Sequence, residues 1–161
     1  LDVANDVRSL FVRKGISLAL AESCTGGYIS HLLTETPGAS AYLRASVVAY
    51  SRGAKEAVLG VPGRVLGEHG AVSAEAAREM AARVRVLAGA DIGLATTGIL
   101  GPETVEGKPV GLVYIAVAWE GRVETRELRL AGQRAEIKRE AARAALSMLL
   151  DEVGQWTSAA S

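Results

Sequence analysis

The run Ala21-Glu22-Ser23-Cys24-Thr25-Gly26-Gly27 brings together two nucleophile types, a carboxylate and two glycines. An apolar run, Ile16 to Ala21, leads into it, and a helical pattern, Thr25 to Thr34, leads out. A strand-to-helix turn of this kind presents free N–H groups, and glycine lets backbone approach a bound group closely. Ser23 is then either a nucleophile beside an oxyanion site or, like Thr25, a helix cap. The backbone of Thr25, Gly26 and Gly27 offers donors for an oxyanion or for a phosphate. Cys24 is the chemical rival of Ser23, because a thiolate at a helix start is activated. Neighbours at such a turn point differently, so one of the two faces a pocket.

A serine hydroxyl needs a base. His31 falls inside the helical pattern after the glycines and His69 in a turn-rich stretch, and both read as surface or satisfied histidines. Tyr50 closes another apolar run and is either a catalytic residue that orients the base or relays a proton, or a half-buried strand tyrosine. Thr97 and Gly98 close a third run and are candidates to line the same pocket. No His, Cys and carboxylate set has ligand spacing, so neither a metal nor another cofactor is expected.

The elements that must position these residues follow from periodicity. Val3, Val7, Leu10 and Phe11 share a helical face over Val3 to Lys14, and Gly15 stops that helix. Strands are expected at Ile16 to Ala21, Ser46 to Tyr50 and Asp91 to Thr97, and a hairpin at Val110 to Trp119 and Arg122 to Leu130. Between them lie helical patterns at Thr25 to Thr34, Arg52 to Leu59, a turn within Pro62 to His69, and a helix N-capped by Ser73 that reaches Leu87. A last helix runs from Gln133 to Val153, and the tail from Thr157 to Ser161 is expected to fray. Strands separated by helices cross over, so the first three are expected parallel, with the hairpin antiparallel. The expectation is a single three-layer α/β/α domain over residues 1–161 with a mixed, partly parallel sheet. Ligands in such sheets sit beyond the carboxyl ends of the parallel strands, where Ser23, Tyr50 and Thr97 converge.

Composition narrows the classes. Eighteen Lys and Arg balance eighteen Asp and Glu, and aromatics are scarce, which argues against direct nucleic-acid binding. The densest basic run, Arg126 to Arg143, reads as a solvated face. The lone Cys24 excludes an intrachain disulfide, and no apolar run reaches the roughly 18 residues of a membrane span. No secretion signal is visible, so a cytoplasmic address is expected.

Several segments together carry a more specific signal. Besides the 21–27 run these are Val48-Ala49-Tyr50-Ser51 followed by Lys55, Thr97-Gly98-Ile99, Gly101-Pro102, and Lys108-Pro109-Val110-Gly111. In this order they resemble the CinA C-terminal domain family, the nicotinamide-nucleotide amidohydrolases, from about Val7 to Val153. The resemblance implies hydrolysis of the carboxamide of nicotinamide mononucleotide to the nicotinate nucleotide and ammonia. It also implies an α/β/α fold and a homodimer. Ser23 matches the family's nucleophile and Lys55 its catalytic lysine, while Arg134 stands where the family often has a basic residue, a candidate for the phosphate. To act as a base near neutrality, Lys55 must fall from about 10.4 by an amount equivalent to about 4 kcal/mol, which burial can supply.

This sequence also departs from that pattern. The loop Glu103-Thr104-Val105-Glu106-Gly107 is one residue short and lacks the glycines usual there, Leu100 replaces alanine, and Arg52 replaces asparagine. Glu103 and Glu106 would oppose a phosphate if they faced the pocket. The alternatives to the amidohydrolase are a non-catalytic ligand-binding or interaction module and an amidase for another small carboxamide.

Overall fold

The computed structural model describes residues 2–156, so the tail expected to fray lies outside the described residues. Five strands form one sheet: β1 (Leu18–Glu22), β2 (Leu43–Val48), β3 (Ile92–Gly98), β4 (Leu112–Trp119) and β5 (Arg122–Arg129). The strand order is β2-β1-β3-β4-β5. The β1–β2 and β1–β3 pairs are parallel, and the β3–β4 and β4–β5 pairs are antiparallel, as expected. Helices α1 (Val3–Lys14), α2 (Tyr28–Thr34) and α6 (Arg134–Gln155) cover one face, and α5 (Ala74–Ala88) covers the other. Two short helices, α3 (Arg52–Ala57) and α4 (Gly63–His69), precede α5. The architecture is the three-layer α/β/α sandwich, and no described helix is long and apolar enough to cross a membrane.

The strands assign the two faces by side-chain size. In β1, Leu18 and Leu20 join the core under α1, α2 and α6, while Ala19 and Ala21 join the core under α5. Leu94 and Ile115 continue the large-residue face, and Ala95 and Ala116 the small-residue face. This is the two-residue alternation of a strand, here sorting size rather than polarity. Small residues let α5 approach closely, so α5 packs Ala77, Met80 and Ala81 against them.

Helix ends follow their local chemistry. Asp2 caps α1 by accepting from the N–H groups of Ala4 and Asn5, and Gly15 ends it in the left-handed region. Ser73 caps α5 through the N–H of Ala76. Several boundaries differ from expectation, most of all those of two elements. Helix α2 begins at Tyr28 rather than Thr25, because the chain first makes a turn closed by Gly26 N–H donating to the Ser23 carbonyl at 3.0 Å. Strand β2 begins at Leu43 rather than Ser46 and stops at Val48 rather than Tyr50. As an edge strand it alternates half-buried and exposed positions, so Arg44, Ser46 and Val48 face outward within it.

Register sets the site. Glu22 of β1 lies opposite Val48 of β2 and Thr96 of β3. β1 and β2 therefore end together at the level of Thr96, and the residues beyond that level form one cavity of about 480 Å³ lined by Ser23, Tyr50, Lys55, Thr97 and Gly98.

Candidate active site

Ser23 is the first residue beyond β1, and its N–H donates to the Thr96 carbonyl at 3.1 Å, which holds the turn to β3. Lys55 comes from α3, whose start is fixed by Ser51 accepting from Ala54 N–H at 3.0 Å. The lysine is 2 % exposed. Its Nζ donates to Ser23 Oγ at 2.7 Å, to the Ala49 carbonyl at 3.0 Å and to the Tyr50 carbonyl at 3.3 Å.

That arrangement has a direct chemical consequence. An ammonium has three donors, and all three are used. A neutral amine has two donors and one lone pair. With the two carbonyls fixed as acceptors, the lone pair is left for the Ser23 hydroxyl, and the hydrogen bond reverses. Burial lowers the Lys55 pKa from 10.5 to about 8, partly opposed by Cys24 and Glu106. About a tenth of the lysine is then neutral at pH 7. Cys24 moves the other way. Burial pushes its thiol up to about 12, against the Thr96 side chain and Lys55, so the rival nucleophile stays protonated.

The remaining candidates divide into those the cavity contains and those it does not. Tyr50 contributes in two places. Its carbonyl orients Lys55, while its ring is exposed at the rim, where its hydroxyl accepts from Arg134 Nη2 at 2.7 Å. Arg134 also donates from Nη1 to the Gly101 carbonyl at 2.6 Å and lines the cavity from the start of α6. Thr97 lines the cavity, with its hydroxyl donating to the Ala71 carbonyl at 2.8 Å. Gly98 lines it where a Cβ would meet the Leu112 carbonyl at 2.8 Å, so the position requires glycine.

Thr25, Gly26 and Gly27 do not line this cavity. Thr25 is fully buried and its hydroxyl pairs with that of Thr96 at 2.8 Å. The Gly26 N–H is spent inside the turn. The helix start that the glycines suggested as an anion site is taken by a group of the chain itself. Glu22, fully buried, accepts from Ile29 N–H with Oε1 at 3.0 Å and from Ser30 N–H with Oε2 at 2.9 Å. Sequence reasoning missed this role. Its signal was a carboxylate at the end of an apolar strand just before a helix whose first turn has no acidic residue. Cys24 lines the cavity together with Ser23, so both neighbours at the turn reach it, against the expectation that one of the two would.

Both carboxylates of the 103–107 loop line the cavity, but Glu106 is not free. It accepts from Ala71 N–H at 2.8 Å and Val72 N–H at 3.2 Å and pairs with Lys108 at 3.4 Å. The histidines stand apart: His31 pairs with Glu35 on the exposed side of α2, and His69 with Glu68 and Glu75.

A model of the CinA C-terminal domain matches residues 1–153. The chain belongs to the CinA C-terminal domain family. A putative competence-damage inducible protein of Desulforamulus reducens is 49 % identical over 142 residues, covering 88 % of this chain and 34 % of that protein. A CinA-like protein of Gloeobacter violaceus is 46 % identical over 158 residues, covering 96 % of this chain and 37 % of that protein. This CinA-family chain thus spans about a third of the length of the curated relatives it matches. Among solved structures, the competence damage-inducible protein A of Klebsiella pneumoniae superposes with a TM-score of 0.94 at 35 % identity, covering 96 % of this chain and 97 % of that one. The competence/damage inducible protein CihA of Agrobacterium tumefaciens gives 0.90 at 38 % identity, covering 95 % and 94 %. The CinA fold therefore accounts for the whole α/β/α arrangement around the Ser23–Lys55 pair.

Proposed function

We propose that this domain is an amidohydrolase that cleaves the carboxamide of nicotinamide mononucleotide to the nicotinate nucleotide and ammonia. The observation that carries the reading is the 2.7 Å contact between Ser23 Oγ and a buried Lys55 Nζ whose other two donors are fixed on carbonyls. Neutral Lys55 takes the proton of Ser23 as Oγ attacks the carboxamide carbon. Cys24, which lines the cavity beside Ser23, supplies its N–H as the donor for the oxyanion. The lysine ammonium then gives its proton to the leaving nitrogen, ammonia departs, and an acyl-enzyme remains. Water, deprotonated by the same lysine, attacks that ester, and the proton returns to Ser23 as the acid leaves.

In this reading Arg134, with Tyr50, receives the phosphate at the rim, and Thr97 and Gly98 wall the ring. No cofactor is required by these steps. The assembly is a homodimer working in the cytoplasm. The test is ammonia release from nicotinamide mononucleotide and from a panel of other carboxamides. Release from the mononucleotide that is lost in Ser23→Ala supports the reading. Release only from other carboxamides makes the domain an amidase of a different substrate, and release from none makes it a binding module.

A further inference from the structure

The loop around Glu106 and Lys108 is built as a clamp. Glu106 holds both N–H groups of the Ala71–Val72 segment, and Lys108 donates to the His69 carbonyl at 2.8 Å and to the Val72 carbonyl. Thr97 holds the Ala71 carbonyl from β3. The segment between α4 and α5 is thus bound through its polar backbone by three side chains of one chain region. Gly70 permits it, since a Cβ there would collide with the Glu106 carboxylate. Ala71, Val72 and Glu106 are walls of the cavity that contains Ser23 and Lys55. The other charged or titratable walls are Cys24, Tyr50, Arg52, Glu103 and Arg134. Glu22 is buried behind Ser23 with both oxygens occupied.

We propose that Glu106, locked by Lys108 and the Ala71 and Val72 amides, is a positioning residue for Ser23 chemistry: it fixes the cavity wall and sets a carboxylate on the same cavity as the Lys55 base. The proposal rests on the Ser–Lys reading of the site but not on the identity of its substrate. Burial alone would raise the Glu106 pKa. The two amides and Lys108 outweigh it and hold the carboxyl below its usual range, so the charge persists across the pH range in which Lys55 titrates. A negative charge favours the lysine ammonium, and the adjoining Lys108 opposes it.

Direct titration of Lys55 by NMR of labelled lysine side chains tests this without a substrate, in parallel with the pH profile of kcat/KM. Glu106→Gln keeps the size, removes the charge and leaves one of the two amides without an acceptor. It should raise the neutral fraction of Lys55 at pH 6.5 by a factor of about two to five. Glu106→Asp keeps the charge and should leave the Lys55 titration at its wild-type position while raising KM, because the shorter side chain slackens the clamp. Lys108→Met should move the titration in the direction opposite to Glu106→Gln. A loop that is merely structural shifts no titration, or shifts all three variants alike, and either result overturns the proposal. If no carboxamide is hydrolysed yet the opposed titration shifts appear, the proposal stands and the substrate reading fails.

Discussion

At the residue scale, the question is what makes a serine nucleophilic without a histidine. The answer is the environment of one amine. Lys55 has three acceptors and almost no exposure, so desolvation lowers its pKa while the carbonyls of Ala49 and Tyr50 aim its lone pair. Ser23→Ala and Lys55→Ala are each expected to reduce kcat about a thousand-fold or more, and the double variant little further, since the two act as a unit. Lys55→Arg is expected to give no rescue, because a guanidinium holds its proton. Activity should rise with pH through about 8, as the lysine deprotonates. Cys24→Ala should retain most activity, given a thiol pushed up to about 12. Steady-state rates of folded variants across pH decide all of these. Full turnover by Lys55→Ala would remove the lysine base, and a loss in Cys24→Ala equal to that in Ser23→Ala would exchange the nucleophile.

At the element scale, the turn after β1 explains both what the sequence disclosed and what it hid. The strand–Ser23–glycine–helix order was legible because the apolar run and the glycines bracket it. So was convergence of Ser23, Tyr50 and Thr97, because it follows from parallel strands that end in register. The direction of each backbone N–H was not legible. Gly27 adopts a left-handed φ of 97°, which delays α2 to Tyr28 and turns the helix start onto Glu22. Likewise Glu106 reads in sequence as a charge hostile to phosphate, whereas its partners Ala71 and Val72 lie more than thirty residues away. Only the fold brings them together. The Glu22 cap yields its own prediction. Glu22→Gln replaces one acceptor by an amide NH₂ set against a buried N–H, so stability should fall by about 1–3 kcal/mol. Because the same cap anchors the far end of the Ser23 turn, kcat should fall while the pH of half-maximal rate stays in place. Urea unfolding with kinetics on the same sample measures both, and a stable, fully active Glu22→Gln would show that the cap does not hold the turn.

At the scale of the whole molecule, the site is maintained against the stability of the domain that surrounds it. The sheet sorts large residues to one face and small ones to the other, and the cores behind Leu20 and Ala21 are closed on both sides of β1. Lys55 is buried at the strand ends against Ser23 and the Ala49 and Tyr50 carbonyls, and its protonated form is disfavoured there. The unfolded chain carries Lys55 with a pKa near 10.5, and the folded chain with one of about 8. Between those values the unfolded state binds more protons, so the lysine makes stability rise with pH through that window. Below about 8 the penalty is fully present, and above 10.5 it is gone. Its size is about 3 kcal/mol by linkage. Lys55→Met removes the titrating group but leaves the Ala49 and Tyr50 carbonyls without their donor, a loss of about 1–3 kcal/mol that does not vary with pH. The variant should therefore be comparable to or more stable than the wild type at pH 7. The difference should then move by about 3 kcal/mol in favour of the wild type as pH is raised towards 10.5. Titrating groups that do not interact with Lys55 are common to both proteins and cancel in that difference, while Cys24 and Glu106 add a smaller coupled contribution. Urea unfolding of the pair at a series of pH values measures it. A difference that stays constant from pH 7 to 10.5 would mean that Lys55 keeps its proton to the ordinary lysine range, and with it would go the neutral base on which the Ser23 mechanism depends.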